Sequence, residues 1–165
     1  MATVALGLGS NLGNRLVNLR EAVERLRPLG PIIAKSDVFE TEPWGLKGQP
    51  CFLNACLTLE TFLEPLELLA LVKTVEQDMG RRTTIRWGAR NIDIDILLMG
   101  ERGFDTETLQ IPHANLPNRE FVLMPLMQIL PDWRHPKLGL TVPEMLRALR
   151  MLEPNAPSPI RIIML

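Results

Sequence analysis

Two stretches of the chain alternate apolar and polar residues with a period of two, and others carry apolar residues at helical spacing. Ile92, Ile94 and Ile96 alternate with Asp93 and Asp95, which predicts a strand with one buried and one polar face. Over residues 52–61, Leu53, Ala55, Leu57 and Leu59 alternate in the same way with Asn54, Cys56, Thr58 and Glu60. Residues 3–8 form a mostly apolar run that predicts a buried strand, closed by a tight turn at Gly7-Leu8-Gly9-Ser10-Asn11-Leu12-Gly13. Residues 32–41 predict a further strand. Leu16, Leu19, Val23 and Leu26 recur at helical spacing, and this helix stops before Pro28 and Gly30. A second amphipathic helix starts at Pro65, carries Leu68, Leu69, Val72, Val75 and Met79, and ends at Gly80.

Farther along, Pro125 interrupts the apolar run 121–130, so a helix is expected to start there rather than pass through it. Thr141 and Glu144 form a capping box for a last helix reaching about residue 152. Three prolines between 154 and 159 predict an extended tail, and residues 160–165 form a candidate edge strand with no partner indicated. Strand, helix, strand, strand, helix, strand is the order of a ferredoxin-like α+β domain, an antiparallel sheet with flanking helices on one face. Asp93, Asp95 and Asn54 then share the opposite face, under the loops. All 165 residues are read as one domain, with 154–165 as its tail.

Composition narrows the class. A 46% apolar fraction and a net charge of -1 describe an ordinary globular chain, without the strongly basic balance of a nucleic-acid binder. Cys51 and Cys56 match neither a disulfide framework nor a C-x-x-C zinc site. No signal peptide or membrane-length apolar run is present. A monomeric cytoplasmic protein that binds neither nucleic acid nor membrane is expected.

Positive charge is local instead. Arg81, Arg82, Arg86 and Arg90 surround Trp87-Gly88 and lead directly into Asp93-Ile94-Asp95. Next-but-one residues on a strand lie roughly 7 Å apart at Cα, so two carboxylates there repel unless a cation joins them. Magnesium, which takes one or two carboxylates and completes its shell with phosphate oxygens, suits the pair. Guanidiniums suit the phosphates themselves. Taken alone, a D-x-D strand also fits a plain solvated face, and an arginine loop a plain surface. Residues 42–50 hold two glycines and two prolines around Trp44, a loop able to lie over a flat ligand or to plug the core.

The segment Arg86-Trp87-Gly88-Ala89-Arg90-Asn91-Ile92-Asp93-Ile94-Asp95-Ile96-Leu97 resembles the signature of the 6-hydroxymethyl-7,8-dihydropterin pyrophosphokinase family. Supporting segments stand in the same order: Gly9-Ser10-Asn11-Leu12, Phe52-Leu53-Asn54-Ala55, Pro112-His113, then Asn118-Arg119 and Phe121. The resemblance spans about residues 3 to 150. It implies transfer of pyrophosphate from ATP, the co-substrate, to 6-hydroxymethyl-7,8-dihydropterin in folate biosynthesis. It further implies that Asp93 and Asp95 hold two Mg²⁺ ions and that Arg81 and Arg90 join them as catalytic residues. Arg86, Ile96, Gln110, His113 and Arg119 are implied at ATP. Thr41, Pro43, Trp44, Phe52, Asn54, Trp87 and Phe121 are implied at the pterin.

Overall fold

The computed structural model describes residues 1–42, 48–80 and 91–165. Strand β1 (Ala2–Ser10) is followed by helix α1 (Arg15–Leu26), a short 3₁₀ turn, and strands β2 (Ile32–Lys35), β3 (Asp37–Thr41) and β4 (Phe52–Thr61). Helix α2 (Pro65–Asp78) leads to β5 (Asp93–Met99), then to the two-residue strands β6 (Phe104–Asp105) and β7 (Gln110–Ile111). Helices α3 (Glu120–Ile129) and α4 (Val142–Leu152) precede a last strand, β8 (Ile160–Met164). The main sheet runs β5-β1-β4-β3-β8, with β2 also on β4, and every pairing is antiparallel. Strands β6 and β7 form a separate pair.

Alternation decides what each face meets. Val4, Leu6 and Leu8 of β1, Leu53 to Leu59 at odd positions of β4, and Ile92, Ile94 and Ile96 pack with α1 and α2 in one buried cluster. Helix α1 contributes Leu19, Ala22, Val23 and Leu26, as its spacing predicts. Asn14 caps it by accepting the Val17 N–H. The opposite face is covered as well. Ala5, Cys56, Leu97 and Leu98 pack beneath Val122, Leu123 and Leu126 of α3, with Val142, Met145, Leu146 and Leu149 of α4 behind them. The expectation of helices on one face is thus corrected to helices on both. The amphipathic C-terminal helices need an apolar surface to bury their stripes, and the inner half of the second sheet face supplies it.

Several boundaries also differ. Strand β1 continues through Gly7 and Gly9 to Ser10, so the turn is confined to the residues just before Asn14. Residues 32–41 form two strands, broken at Ser36. The Ser36 hydroxyl accepts the Cys56 N–H at 2.8 Å and takes the place of a ladder bond. Helix α3 passes through Pro125. Proline in a helix interior costs about 3 kcal/mol, and burial of Val122, Leu123, Pro125 and Leu126 outweighs that. A bulge opposite Ala5 and Leu6 turns both Leu97 and Leu98 toward α3 and returns Met99 to the first cluster. Thr141 and Glu144 form the expected capping box of α4. The candidate edge strand finds its partner in β3, held by an Arg161–Asp37 ion pair at 2.7 Å.

Gly30 fixes the turn from α1 into β2. Its φ is 153°, and a Cβ there would lie 1.9 Å from the Glu60 carbonyl oxygen. Gly30→Ala should therefore cost more than about 2 kcal/mol of unfolding free energy. Gly100→Ala, at φ 58° with open space around it, should cost only the left-handed strain of about 1 kcal/mol. Urea unfolding of both variants checks the ranking, and equal losses would contradict it.

Candidate active site

Register brings the candidate residues together. Gly9 of β1 lies between Asp93 of β5 and Asn54 of β4, and Gly7 lies between Asp95 and Cys56. Directly paired residues of an antiparallel sheet project to one face. The acid pair and Asn54 therefore share a face, separated by a strand with no side chains at its two facing positions. Where Cys56 packs under α3, with its Sγ 3.9 Å from the Val122 carbonyl oxygen, the face is closed. Toward Asp93 and Asn54 the helix no longer covers it.

Each acidic side chain is recessed without being sealed. Asp95 keeps 34% of its side chain exposed and lies 3.9 Å from Nε2 of His113. Burial, and then the Asp93 carboxylate, push Asp95 up to about 7, while the nearby Arg119 cation opposes the shift. Arg119 itself is buried at the mouth of α3, 5.5 Å over the ring of Phe121. Burial draws its guanidinium below the ordinary arginine range, and Asp95 and Asp93 counter that pull. It remains a cation in any accessible pH range.

His113 is fixed by two main-chain bonds. Its own N–H donates to the Leu97 carbonyl, and its Nδ1 accepts the Asn115 N–H at 3.1 Å. Nε2 therefore carries the proton in the neutral ring, facing Asp95. Burial, and then Arg119, hold His113 below the usual histidine value, so a neutral N–H donor is the form at pH 7.

On the other side of the glycine strand, Asn54 is 7% exposed and donates from Nδ2 to the Thr41 hydroxyl at 2.9 Å. The side chain is therefore buried on the polar face and does not project into solvent. Phe52 is half-buried beside it, its Cδ1 3.6 Å from where a Gly9 Cβ would stand. Ile96 turns its side chain the other way, into the α1 and α2 cluster, and Gln110 is exposed on β7 opposite Asp105. Pro43, Trp44, Arg81, Arg86, Trp87 and Arg90 lie outside the described residues.

Three supporting side chains were given no role of their own by the sequence reading. Glu76, buried on α2, accepts the Ile94 N–H at 2.9 Å and so holds the outer edge of β5 midway between the two acids. Its signal was an acid four residues after Val72, on the apolar stripe of the helix. Asn11 donates from Nδ2 to Gln49 Oε1 and to the Pro50 carbonyl. Arg15 pairs with Glu40 at 2.7 Å and donates to the Cys51 carbonyl. Asn11 and Arg15 bind the start of α1 to the residues entering β4, a long-range contact that local pattern does not encode.

Oxygen donors on one strand face, a nearby cation and an N–H donor form a set that suits a hard metal ion carrying phosphate. Among the described residues no cluster of three metal-ligating side chains occurs.

The raised Asp95 has a consequence for stability. Its folded value of about 7 lies above the unfolded value of about 3.9. Between those values the folded state holds a proton that the unfolded state releases. Stability of the metal-free protein therefore falls as pH rises from about 4 to about 7, and the penalty is complete above that. Asp95→Asn should remove this fall. It should stabilise the protein at pH 8 by on the order of 1 to 2 kcal/mol, given the screening at a partly wetted side chain. Urea titrations in EDTA at pH 4 and 8 check this, and parallel pH profiles for variant and wild type would contradict it.

Residues 5–131 match the family of 7,8-dihydro-6-hydroxymethylpterin-pyrophosphokinase. A 2-amino-4-hydroxy-6-hydroxymethyldihydropteridine pyrophosphokinase of Aquifex aeolicus is 44% identical over 136 residues, covering 82% of this chain and 85% of that protein. The mitochondrial folate synthesis bifunctional protein of Arabidopsis thaliana is 44% identical over 128 residues, which are 77% of this chain but 23% of that one. Among solved structures, a Plasmodium falciparum HPPK-DHPS superposes with a TM-score of 0.78 at 18% identity, over 98% of this chain and 46% of the other. That likeness is one of fold, and the chain spans less than half of that protein. With the acid pair, Asn54, His113 and Arg119 on one face, and with this match over most of its length, the chain belongs to the 7,8-dihydro-6-hydroxymethylpterin-pyrophosphokinase family.

Proposed function

We propose that this face transfers pyrophosphate from ATP to the hydroxymethyl oxygen of 6-hydroxymethyl-7,8-dihydropterin, with the residues assigned as follows. Family membership makes the chain an ATP-dependent diphosphokinase of folate biosynthesis. The observation that carries the site assignment is the cross-strand row Asp93–Gly9–Asn54. It sets an acid and an amide on either side of a bare strand.

Asp93 and Asp95 would hold Mg²⁺, as two ions in this reading, and their oxygen-only donor set fits that metal. Bound there, the metal supplies charge neutralisation on the phosphate oxygens. Nε2–H of His113 and the buried Arg119 face the same acids, and both fit phosphate oxygens as donors. Because His113 carries its proton on Nε2, it donates at this face and does not act as the base. Asn54 is oriented by Thr41 and offers Oδ1 to a ring N–H or amino group of the pterin. Phe52 and Phe121 supply aromatic surface for its flat faces. Gln110 and Ile96 remain assigned to ATP, Ile96 through its main chain. Arg81, Arg86 and Arg90 are assigned to the phosphates, and Pro43, Trp44 and Trp87 to covering the pterin.

In the reaction the hydroxymethyl oxygen bonds to the β-phosphorus and loses its proton to solvent or to a phosphate oxygen. The bond from that phosphorus to the α,β-bridging oxygen breaks, and AMP leaves with the electron pair. With β2 and β3 counted as one strand broken at Ser36, the β-α-β-β-α-β order, with β5 and β4 flanking β1, supports a ferredoxin-like scaffold, here as one domain over residues 1–165. No helix among the described residues is long and apolar enough to cross a membrane. Both cysteines are free. We read the protein as a cytoplasmic monomer with small-molecule substrates and without nucleic acid.

ATP labelled at the β-phosphate, given with the hydroxymethylpterin and Mg²⁺, should transfer its label to the pterin product with equimolar unlabelled AMP. Label recovered in ADP would mean γ-transfer and would overturn the reading. Asp93→Asn and Asp95→Asn should each lower kcat by about a hundredfold or more while circular dichroism shows the fold intact. Near wild-type turnover at saturating Mg²⁺ would remove the acid pair from the site.

A further inference from the structure

We infer that Gly9 determines specificity at the pterin side of the site, which rests on the pterin reading given above. The two glycines of β1 that face the site differ in what surrounds them. The space beside Gly7 is already filled: a Cβ there would meet Leu97 side-chain carbons at 3.3 to 3.5 Å. Leu97 belongs to the cluster under α3, so Gly7 serves packing. At Gly9 the nearest atom to a Cβ is the amide oxygen of Asn54, at 3.1 Å, followed by Cδ1 of Phe52 at 3.6 Å. Nδ2 of the same amide donates to the Thr41 hydroxyl at 2.9 Å, and Oδ1 lies at its other end, over Gly9.

Gly9 is thus the gap that allows the Asn54 acceptor to stand in place. It also leaves bare backbone between that acceptor and Asp93, its partner on the other side. Strand spacing sets Asn54 and Asp93 about 9 to 10 Å apart at Cα. A planar bicyclic ring that donates to Asn54 at one end can reach the acid pair with its substituent at the other. A methyl group at position 9 displaces Oδ1, whose Thr41 anchor resists the movement, and narrows the floor on which the ring rests. A site built to pair a ring N–H loses discrimination when its acceptor is misplaced.

Steady-state kinetics of Gly9→Ala, Gly7→Ala and Asn54→Ala test this. Gly9→Ala should raise KM for the pterin about tenfold or more, leaving KM for ATP within about twofold. In an Asn54→Ala background, where the crowded oxygen is gone, the same substitution should add less than about a twofold further rise. Gly7→Ala should lower the urea midpoint and leave both KM values within about twofold. An unchanged pterin KM in Gly9→Ala, an equal rise for ATP, or the full loss repeated on Asn54→Ala would overturn the inference. If Gly9→Ala alone does not fold, the Asn54→Ala pair, which lacks the contact, decides it. Wild-type protein that makes no pterin diphosphate would overturn the pterin reading itself, a result distinct from all of these.

Discussion

The register of β1 between β4 and β5 is the constraint on which both the core and the site depend. Side chains of a strand alternate faces with a period of two, so a slip by one residue exchanges them all. In the observed register, Leu6 pairs with Leu57 and Ile96, and Leu8 with Ala55 and Ile94, on the face buried under α1 and α2. The same register sets Gly9 against Asn54 and Asp93 on the other face. A one-residue slip of β5 would turn Asp93 and Asp95 into an apolar layer, where an unpaired carboxylate is costly. Hydrophobic burial thus enforces the alignment that brings amide, glycine and acid into one row.

Electrostatics on that row are not self-consistent without a ligand. Burial, and then the neighbouring Asp93 carboxylate, penalise the charged form of Asp95, which responds by holding a proton to about 7. Arg119 offsets part of the repulsion but is itself recessed, and burial weakens its own charged form. His113 cannot help, because burial and Arg119 keep it neutral. Among the described residues, this face carries two acids, a desolvated cation and a neutral donor, a set that favours a ligand bringing both positive and negative charge. A magnesium polyphosphate meets that requirement. The site is held in this unfavourable state by packing elsewhere, including the Glu76 contact to the Ile94 N–H that fixes the strand between its two acids.

Much of this was legible in the chain because the signals were local. Ile92, Ile94 and Ile96 announced their face by alternation, α1 by its apolar spacing, and α4 by its capping box. Asn54 was placed on the polar face by parity alone. The misreadings have a common cause in non-local contacts. Pro125 reads as a helix start until the sheet beneath α3 supplies the burial that carries the helix through it. Gly7 and Gly9 read as a turn because glycine has low strand propensity. Only the neighbours on β4 and β5 show why side chains are missing there. The partner of β8 lies more than 120 residues away at Asp37, and no local pattern could identify it. The pairing of Asp93 with Gly9 and of Gly9 with Asn54 is legible only once the register is known.

The two layers of the fold divide the work between rigidity and access. Under α1 and α2 the sheet face is buried along its length, from Val4 to Leu8 and from Ile92 to Met99. Under α3 and α4 the apolar packing takes in Ala5, Cys56, Leu97 and Leu98. What ends the cover is the start of α3 itself: Arg119 and Phe121 stand where the helix begins, with the His113 segment tied to Leu97 alongside. The residues that close the packed half of that face thereby become the wall of the open half. This geometry explains why residues far apart in the chain, Asn54, Asp93, His113 and Arg119, meet without an added domain. A helix laid across half of a sheet creates a sheltered edge, and the strand register decides which side chains that edge presents.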